Sequence, residues 1–233
     1  MSRVDLKKEV KPRKIAVPSV TVVLELLEET WKQGTESAKI VYEEPLDGLI
    51  ETVLSQNTND RNRDMAFERL KKCGTWGRIA ALPQEKVVEA IRPAGLCNNK
   101  SLTIMRVLEE VKKRFGAYSL RALKKGTSEE AWNFMTSIRG VGPKTAACVL
   151  AFDLGFPAFP VDTHVARISK RLGWADEKET PAQIQSHLES LVPEELKTAG
   201  HLNMIQHGKN ICKARAPKCG ECPLRGICPS STQ

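Results

Sequence analysis

Near the C-terminus Cys212, Cys219, Cys222 and Cys228 follow the pattern C-x6-C-x2-C-x5-C. The charged N-terminus has no apolar leader, and no apolar run approaches the roughly 18 residues that a membrane helix needs. A soluble, intracellular chain is therefore expected, and in that reducing setting grouped thiols serve as metal ligands rather than disulfides. Zinc is one candidate, although structural zinc sites usually pair two C-x2-C units and only one is present here. An iron–sulfur cluster accepts more uneven loops, and Pro223 directly after Cys222 matches the Cys-Pro of ferredoxins. The spacing favours the cluster and leaves zinc open.

A second group of residues has the types needed for covalent chemistry. In Ile138-Arg139-Gly140-Val141-Gly142-Pro143-Lys144-Thr145-Ala146 one helix should end and another begin, with two glycines forming the turn between them. Glycines let backbone approach backbone, and amides at a helix start carry partial positive charge. Such a hairpin can hold a DNA phosphate; it can equally be an ordinary helix corner. Lys144 falls in the first turn of the second helix. A neutral lysine there would attack an electrophilic carbon, and otherwise it is a surface lysine. Pro160-Val161-Asp162-Thr163-His164 follows. Asp162 sits where a helix should start and so reads as an N-cap, yet its carboxylate could also face a cationic transition state.

Charge points the same way. The chain has 233 residues and a formal net charge of +8, from 36 basic and 28 acidic side chains. That excess suits a polyanionic partner, nucleic acid first. Around the cysteines Lys209, Lys213, Arg215, Lys218 and Arg225 are opposed only by Glu221. The loop from Cys212 to Cys219 would carry Lys213, Arg215 and Lys218 outward to phosphates, or simply into solvent. Residues 1–18 read as a basic, disordered tail interrupted by Pro12 and Pro18.

The positioning elements are helical almost throughout. Leu46, Leu49, Ile50, Val53 and Leu54 keep the rhythm of a buried helix face, as do Ile104, Met105, Leu108, Val111 and Phe115, with Gly116 placed to stop that helix. Thr127 and Glu130 form a capping box for a helix reaching Ile138, and Thr180-Pro181 reads as an N-cap followed by proline at the first helical position. Cys148 falls on an apolar face and is expected in the core. Period-two runs are scarce and internal repeats absent, so the class is all-α with short helices and short connections.

In this order and at these separations, G-V-G-x-K-T-A, V-D-T-H and the four-cysteine pattern resemble endonuclease III, a helix–hairpin–helix glycosylase with a [4Fe-4S] cluster. The resemblance spans about Leu46 to Cys228. It implies a six-helix barrel lobe over residues 45–156, with the helix–hairpin–helix at about 127–155, and a cluster lobe built from 19–44 and 157–233. It further implies Lys144 as the Schiff-base nucleophile, Asp162 as the catalytic aspartate, the four cysteines as cluster ligands, and Gly140, Val141 and Gly142 as the phosphate-binding hairpin. The partner implied is double-stranded DNA with damaged bases or abasic sites, bound by a monomer without a membrane. The reaction implied is removal of oxidised pyrimidines followed by strand nicking.

Two departures concern the base preferred. Arg139 stands where that family usually has proline. The segment that fills the gap left by a flipped base reads Leu54-Ser55-Gln56-Asn57-Thr58, which makes Asn57 the wedge with Gln56 beside it. Arg139, the Gln-Asn pair and the stretch Ala158 to Thr163 also resemble the DEMETER-like 5-methylcytosine glycosylases of plants. The adenine-excising branch of the superfamily lacks a lysine at the position of Lys144. A purely DNA-binding helix–hairpin–helix module would explain the hairpin and the charge, but not Lys144 and Asp162 together.

Overall fold

The computed structural model describes residues 16–34 and 42–231. Most of the basic tail, residues 1–15, lies outside them. The described residues form eleven α-helices: α1 Val20–Trp31, α2 Pro45–Ser55, α3 Asp60–Lys72, α4 Trp76–Ala80, α5 Gln84–Ala90, α6 Cys97–Phe115, α7 Ser128–Ser137, α8 Pro143–Val149, α9 Thr163–Leu172, α10 Pro181–Leu191 and α11 Glu194–Asn210. No strand occurs among them. Among the described residues no helix is long and apolar enough to cross a membrane.

The boundaries follow from side-chain chemistry. Thr127 caps α7 through Glu130 N–H while the Glu130 carboxylate accepts from Thr127 N–H, so two otherwise unpaired amides are satisfied. Thr180 and Gln183 do the same for α10, with Pro181 in its first turn. α6 stops at Gly116, whose φ of 70° suits a residue without a side chain. A π-helical turn, Leu150–Leu154, continues α8, a feature that no sequence period announces.

The buried side chains fall into two clusters. One gathers Leu46, Leu49, Ile50, Val53 and Leu54 of α2 with Ile104 and Leu108 of α6 and Met135 of α7, and extends to Ala158. The other joins Val23, Leu24 and Leu27 of α1 to Phe159, Val165, Ile168, Ile184, Leu188 and Met204. α1 reaches this second core by packing along α11, so residues from both ends of the described chain complete it. The chain crosses from one core to the other between Ala158 and Phe159.

Candidate active-site cleft and cysteine cluster

The C-terminal end of α2 carries the first part of the site. Lys100 of α6 is buried, and its ammonium donates to Leu54 O at 2.7 Å and Ala94 O at 2.8 Å. Burial pushes the pKa of this lysine down, while the two carbonyls give its charge fixed partners. This fixes the turn after Ser55. There Gln56 donates to Thr145 Oγ1 at 3.3 Å and to Gly140 O at 3.5 Å. Asn57 is exposed, on a left-handed backbone with φ 52°.

The hairpin faces this turn. Val141 N–H closes it onto Ile138 O at 2.9 Å. Gly140 has φ 104°, and a Cβ there would collide with the side chain of Thr103. Gly142 is the extended N-cap of α8 and needs no special φ, so only one of the two hairpin glycines uses that freedom. Arg139, Gly140 and Gly142 are exposed, and Val141 is buried.

Lys144 is half-buried in the first turn of α8. Cys148, one turn on, is buried as expected; burial raises its thiol pKa and the nearby Lys144 opposes that rise. Asp162 caps α9: its Oδ1 accepts from His164 N–H and Val165 N–H, both at 2.8 Å. Both bonds fall on one oxygen, so Oδ2 keeps its acceptor capacity. Lys144 and Asp162 line one open cleft of about 770 Å³ with Gln56, Asn57, Thr145, His164, Gln185 and Lys209. Behind it His201 is buried with Nδ1 unpaired among the described residues. Burial lowers its pKa to about 4, against the pull of Asp162.

Sequence reasoning did not find Gln185, His201, Arg171 or Leu96. Leu96 is 57% exposed on a left-handed backbone at the start of α6, close to the Lys100 anchor. An apolar residue before a helix gives no sequence signal of exposure, and polar residues inside amphipathic helices look like solvent-facing ones.

Cys212, Cys219, Cys222 and Cys228 line a common cavity with Arg171, His207 and Leu224. Among the described residues no three Cys, His, Asp or Glu side chains converge tightly enough to hold a single metal ion. Four thiols at uneven sequence spacing that face one space suit a polynuclear cluster. The surroundings are cationic: Arg171 donates to Cys212 Sγ, Lys213 O and Ala214 O at 3.1, 2.7 and 3.1 Å. Lys213, Arg215 and Lys218 project from this anchored loop and are exposed, with Lys218 paired to Glu221 at 3.2 Å.

Helices framing a glycine hairpin, with a cysteine-anchored basic loop beyond them, define a helix–hairpin–helix architecture suited to DNA. The chain belongs to the HhH-GPD superfamily of base excision DNA repair proteins, whose model matches residues 50–194. Residues 212–228 match the iron–sulfur binding domain of endonuclease III. Endonuclease III of Thermotoga maritima is 33% identical over 186 residues, covering 79% of this chain and 83% of that protein. The transcriptional activator DEMETER of Arabidopsis thaliana is 32% identical over 160 residues, which are 61% of this chain and 8% of that protein. A trapped endonuclease III–DNA covalent intermediate superposes with a TM-score of 0.76 at 28% identity, covering 91% of this chain and 95% of that one. The protein is thus a DNA glycosylase of base excision repair and carries a [4Fe-4S] cluster.

Proposed function

We propose that the protein is a bifunctional glycosylase and AP lyase that removes oxidised pyrimidines from duplex DNA, acting as a monomer. The carrying observation is that Lys144 and the open Oδ2 side of Asp162 share one cleft. In this reading the damaged nucleotide is flipped into that cleft. Asn57 and Leu96 occupy the gap left behind: one is polar, the other apolar, and both are exposed on left-handed backbone. Arg139, Gly140, Val141, Gly142 and Gln56 hold the strand at the hairpin, while Lys213, Arg215 and Lys218 meet phosphates further along. The division into a barrel lobe, 45–156, and a cluster lobe, 19–44 with 157–233, is supported by the two separate cores.

The chemistry needs no electron transfer. The amine of Lys144, once deprotonated, attacks C1′ as the C1′–N bond breaks and the base leaves with its electron pair, which a proton neutralises. Asp162 stabilises the positive charge that builds on the sugar. Ring opening gives an imine between Lys144 and C1′. Loss of the 2′ proton then expels the 3′ phosphate, and water later releases the lysine. A cluster held by Cys212, Cys219, Cys222 and Cys228 would give the loop that Arg171 grips a rigid anchor.

Borohydride trapping on duplexes bearing thymine glycol, uracil, 5-methylcytosine or an abasic site tests this reading. Covalent adducts with thymine glycol and abasic DNA are expected. Binding without any adduct would remove the lysine nucleophile and the lyase step from this reading. A preference for 5-methylcytosine would support the alternative that rests on Arg139 and the Gln56-Asn57 pair.

A further inference from the structure

Gln185 of α10 is 2% exposed, and both ends of its amide are used. Its Oε1 accepts from Val161 N–H at 3.1 Å, and its Nε2 donates to Pro143 O at 3.1 Å. Val161 directly precedes Asp162, and Pro143 directly precedes Lys144. One side chain therefore spans the two backbones that carry the reactive pair. The partners also fix the amide's orientation, because only its oxygen can meet an N–H and only its nitrogen a carbonyl.

The two backbones belong to different packing units. Pro143 begins α8, whose apolar face lies in the first core, whereas Val161 and the Ile184 and Leu188 neighbours of Gln185 lie in the second. Without a fastening, a shift of one core against the other would move Lys144 relative to Asp162. The segment before Asp162 has one further tie: Phe159 N–H is bound by Glu189, which is itself held by Lys197. That tie lies wholly within the second core's elements. Of these fastenings, Gln185 is the one that reaches α8.

We propose that Gln185 is a positioning residue that sets the separation of Lys144 and Asp162 across the junction of the two cores. The proposal rests on the reading of those two residues as nucleophile and stabiliser. A displacement on the order of 1 Å in a reacting pair can cost about 100-fold in rate, so a bridge between their backbones acts on the chemical step and not on DNA affinity.

The test uses the full-length, cluster-loaded protein. Gln185→Met keeps length and bulk but makes neither hydrogen bond. Single-turnover borohydride trapping on abasic duplex should slow by roughly 10- to 100-fold. Affinity for a duplex with a tetrahydrofuran site should stay as in wild type, and hydrogen exchange at the peptide containing Val161 should quicken. Trapping at the wild-type rate would overturn the proposal, as would a drop in affinity that accounts for the whole drop in rate. If Gln185→Met does not fold, Gln185→Glu decides the matter by the same measurements: it keeps the acceptor for Val161 N–H and removes the donor to Pro143 O. Absence of trapping in wild type would instead sink the lysine reading. Faster exchange at Val161 in the variant would then still register the bridge.

Discussion

Arg171 donates to Cys212 Sγ at 3.1 Å, and with the same guanidinium it holds the carbonyls of Lys213 and Ala214. It thus ties the first cysteine of the C-terminal motif and the basic loop beside it to α9, the helix that Asp162 caps. Charge-assisted hydrogen bonds of this kind contribute about 1.5–3 kcal/mol each. Arg171→Leu should therefore yield protein with less iron per chain and faster loss of iron to a chelator. Arg171→Lys, which cannot reach all three acceptors from one flat group, should fall between. Iron content and chelator resistance equal to wild type in Arg171→Leu would show that the loop is held by its cysteines alone.

The same loop should govern the salt dependence of DNA binding. Lys213 and Arg215 are exposed and form no ion pair among the described residues, whereas Lys218 already pairs with Glu221. Replacing Lys213 and Arg215 by Glu should weaken binding to every sequence alike. It should also flatten the plot of log affinity against log salt, by up to about 0.9 for each phosphate that the loop no longer neutralises. Lys218→Glu should do less, since part of that charge is already neutralised. An unchanged slope in the double variant would mean that these cations meet only solvent.

Asp153, in the π-helical turn, makes stability depend on pH. Burial, aided by Glu51 and Asp47 of α2 and opposed by Lys124, lifts its carboxyl pKa to about 7. The folded state therefore holds a proton that the unfolded chain gives up near the ordinary carboxylate range. Stability contributed by the neutral acid is fully present below about pH 4 and is lost as pH rises to about 7. Asp153→Asn should accordingly be more stable than wild type at pH 8 and no more stable at pH 4, measured as urea midpoints. Gly48 packs against this carboxyl so closely that an added Cβ would strike it. Gly48→Ala should then be destabilising by about 1–3 kcal/mol, the usual cost of overpacking. Equal midpoints for Asp153→Asn and wild type at pH 8 would show that Asp153 is ionised in the fold without penalty.

The parts of this molecule that obey local rules were legible in the sequence. Thr127-Glu130 and Thr180-Pro181 announced their helices because caps act within one turn. Leu46 to Leu54 announced a buried face because burial follows helical period. Cys212 to Cys228 announced a metal because ligand spacing is short-range. What stayed hidden depends on packing between distant segments. Gln185 has the same surroundings in sequence as any polar residue of an amphipathic helix, and only the fold brings it to Pro143 and Val161. Leu96 is apolar and so reads as core, yet a left-handed turn carries it to the surface. The π-helical turn at Leu150–Leu154 continues α8 where both pack against α2, and no periodicity encodes it.

Lys144 and Asp162 should separate nucleophile from stabiliser. Lys144 is half-buried in the first turn of α8, and no backbone hydrogen bond depends on its side chain. Lys144→Gln keeps a long polar side chain there, so folding and DNA affinity should change little. Base excision should drop by several orders of magnitude and the borohydride adduct should vanish. Asp162→Asn is a different case. Its side-chain oxygen can take the place of Oδ1 and still accept from His164 N–H and Val165 N–H, so the start of α9 should survive. The amide nitrogen then stands where Oδ2 was, and the negative charge facing the cleft is gone. Losing one electrostatic interaction with a transition state costs about 2.7–4 kcal/mol, or roughly 100- to 1000-fold in rate. Trapping should therefore be slowed by that factor but remain detectable, because the amine of Lys144 is intact. A Lys144→Gln protein that still forms the adduct at the wild-type rate would place the nucleophile elsewhere, and with it the whole reading of the cleft.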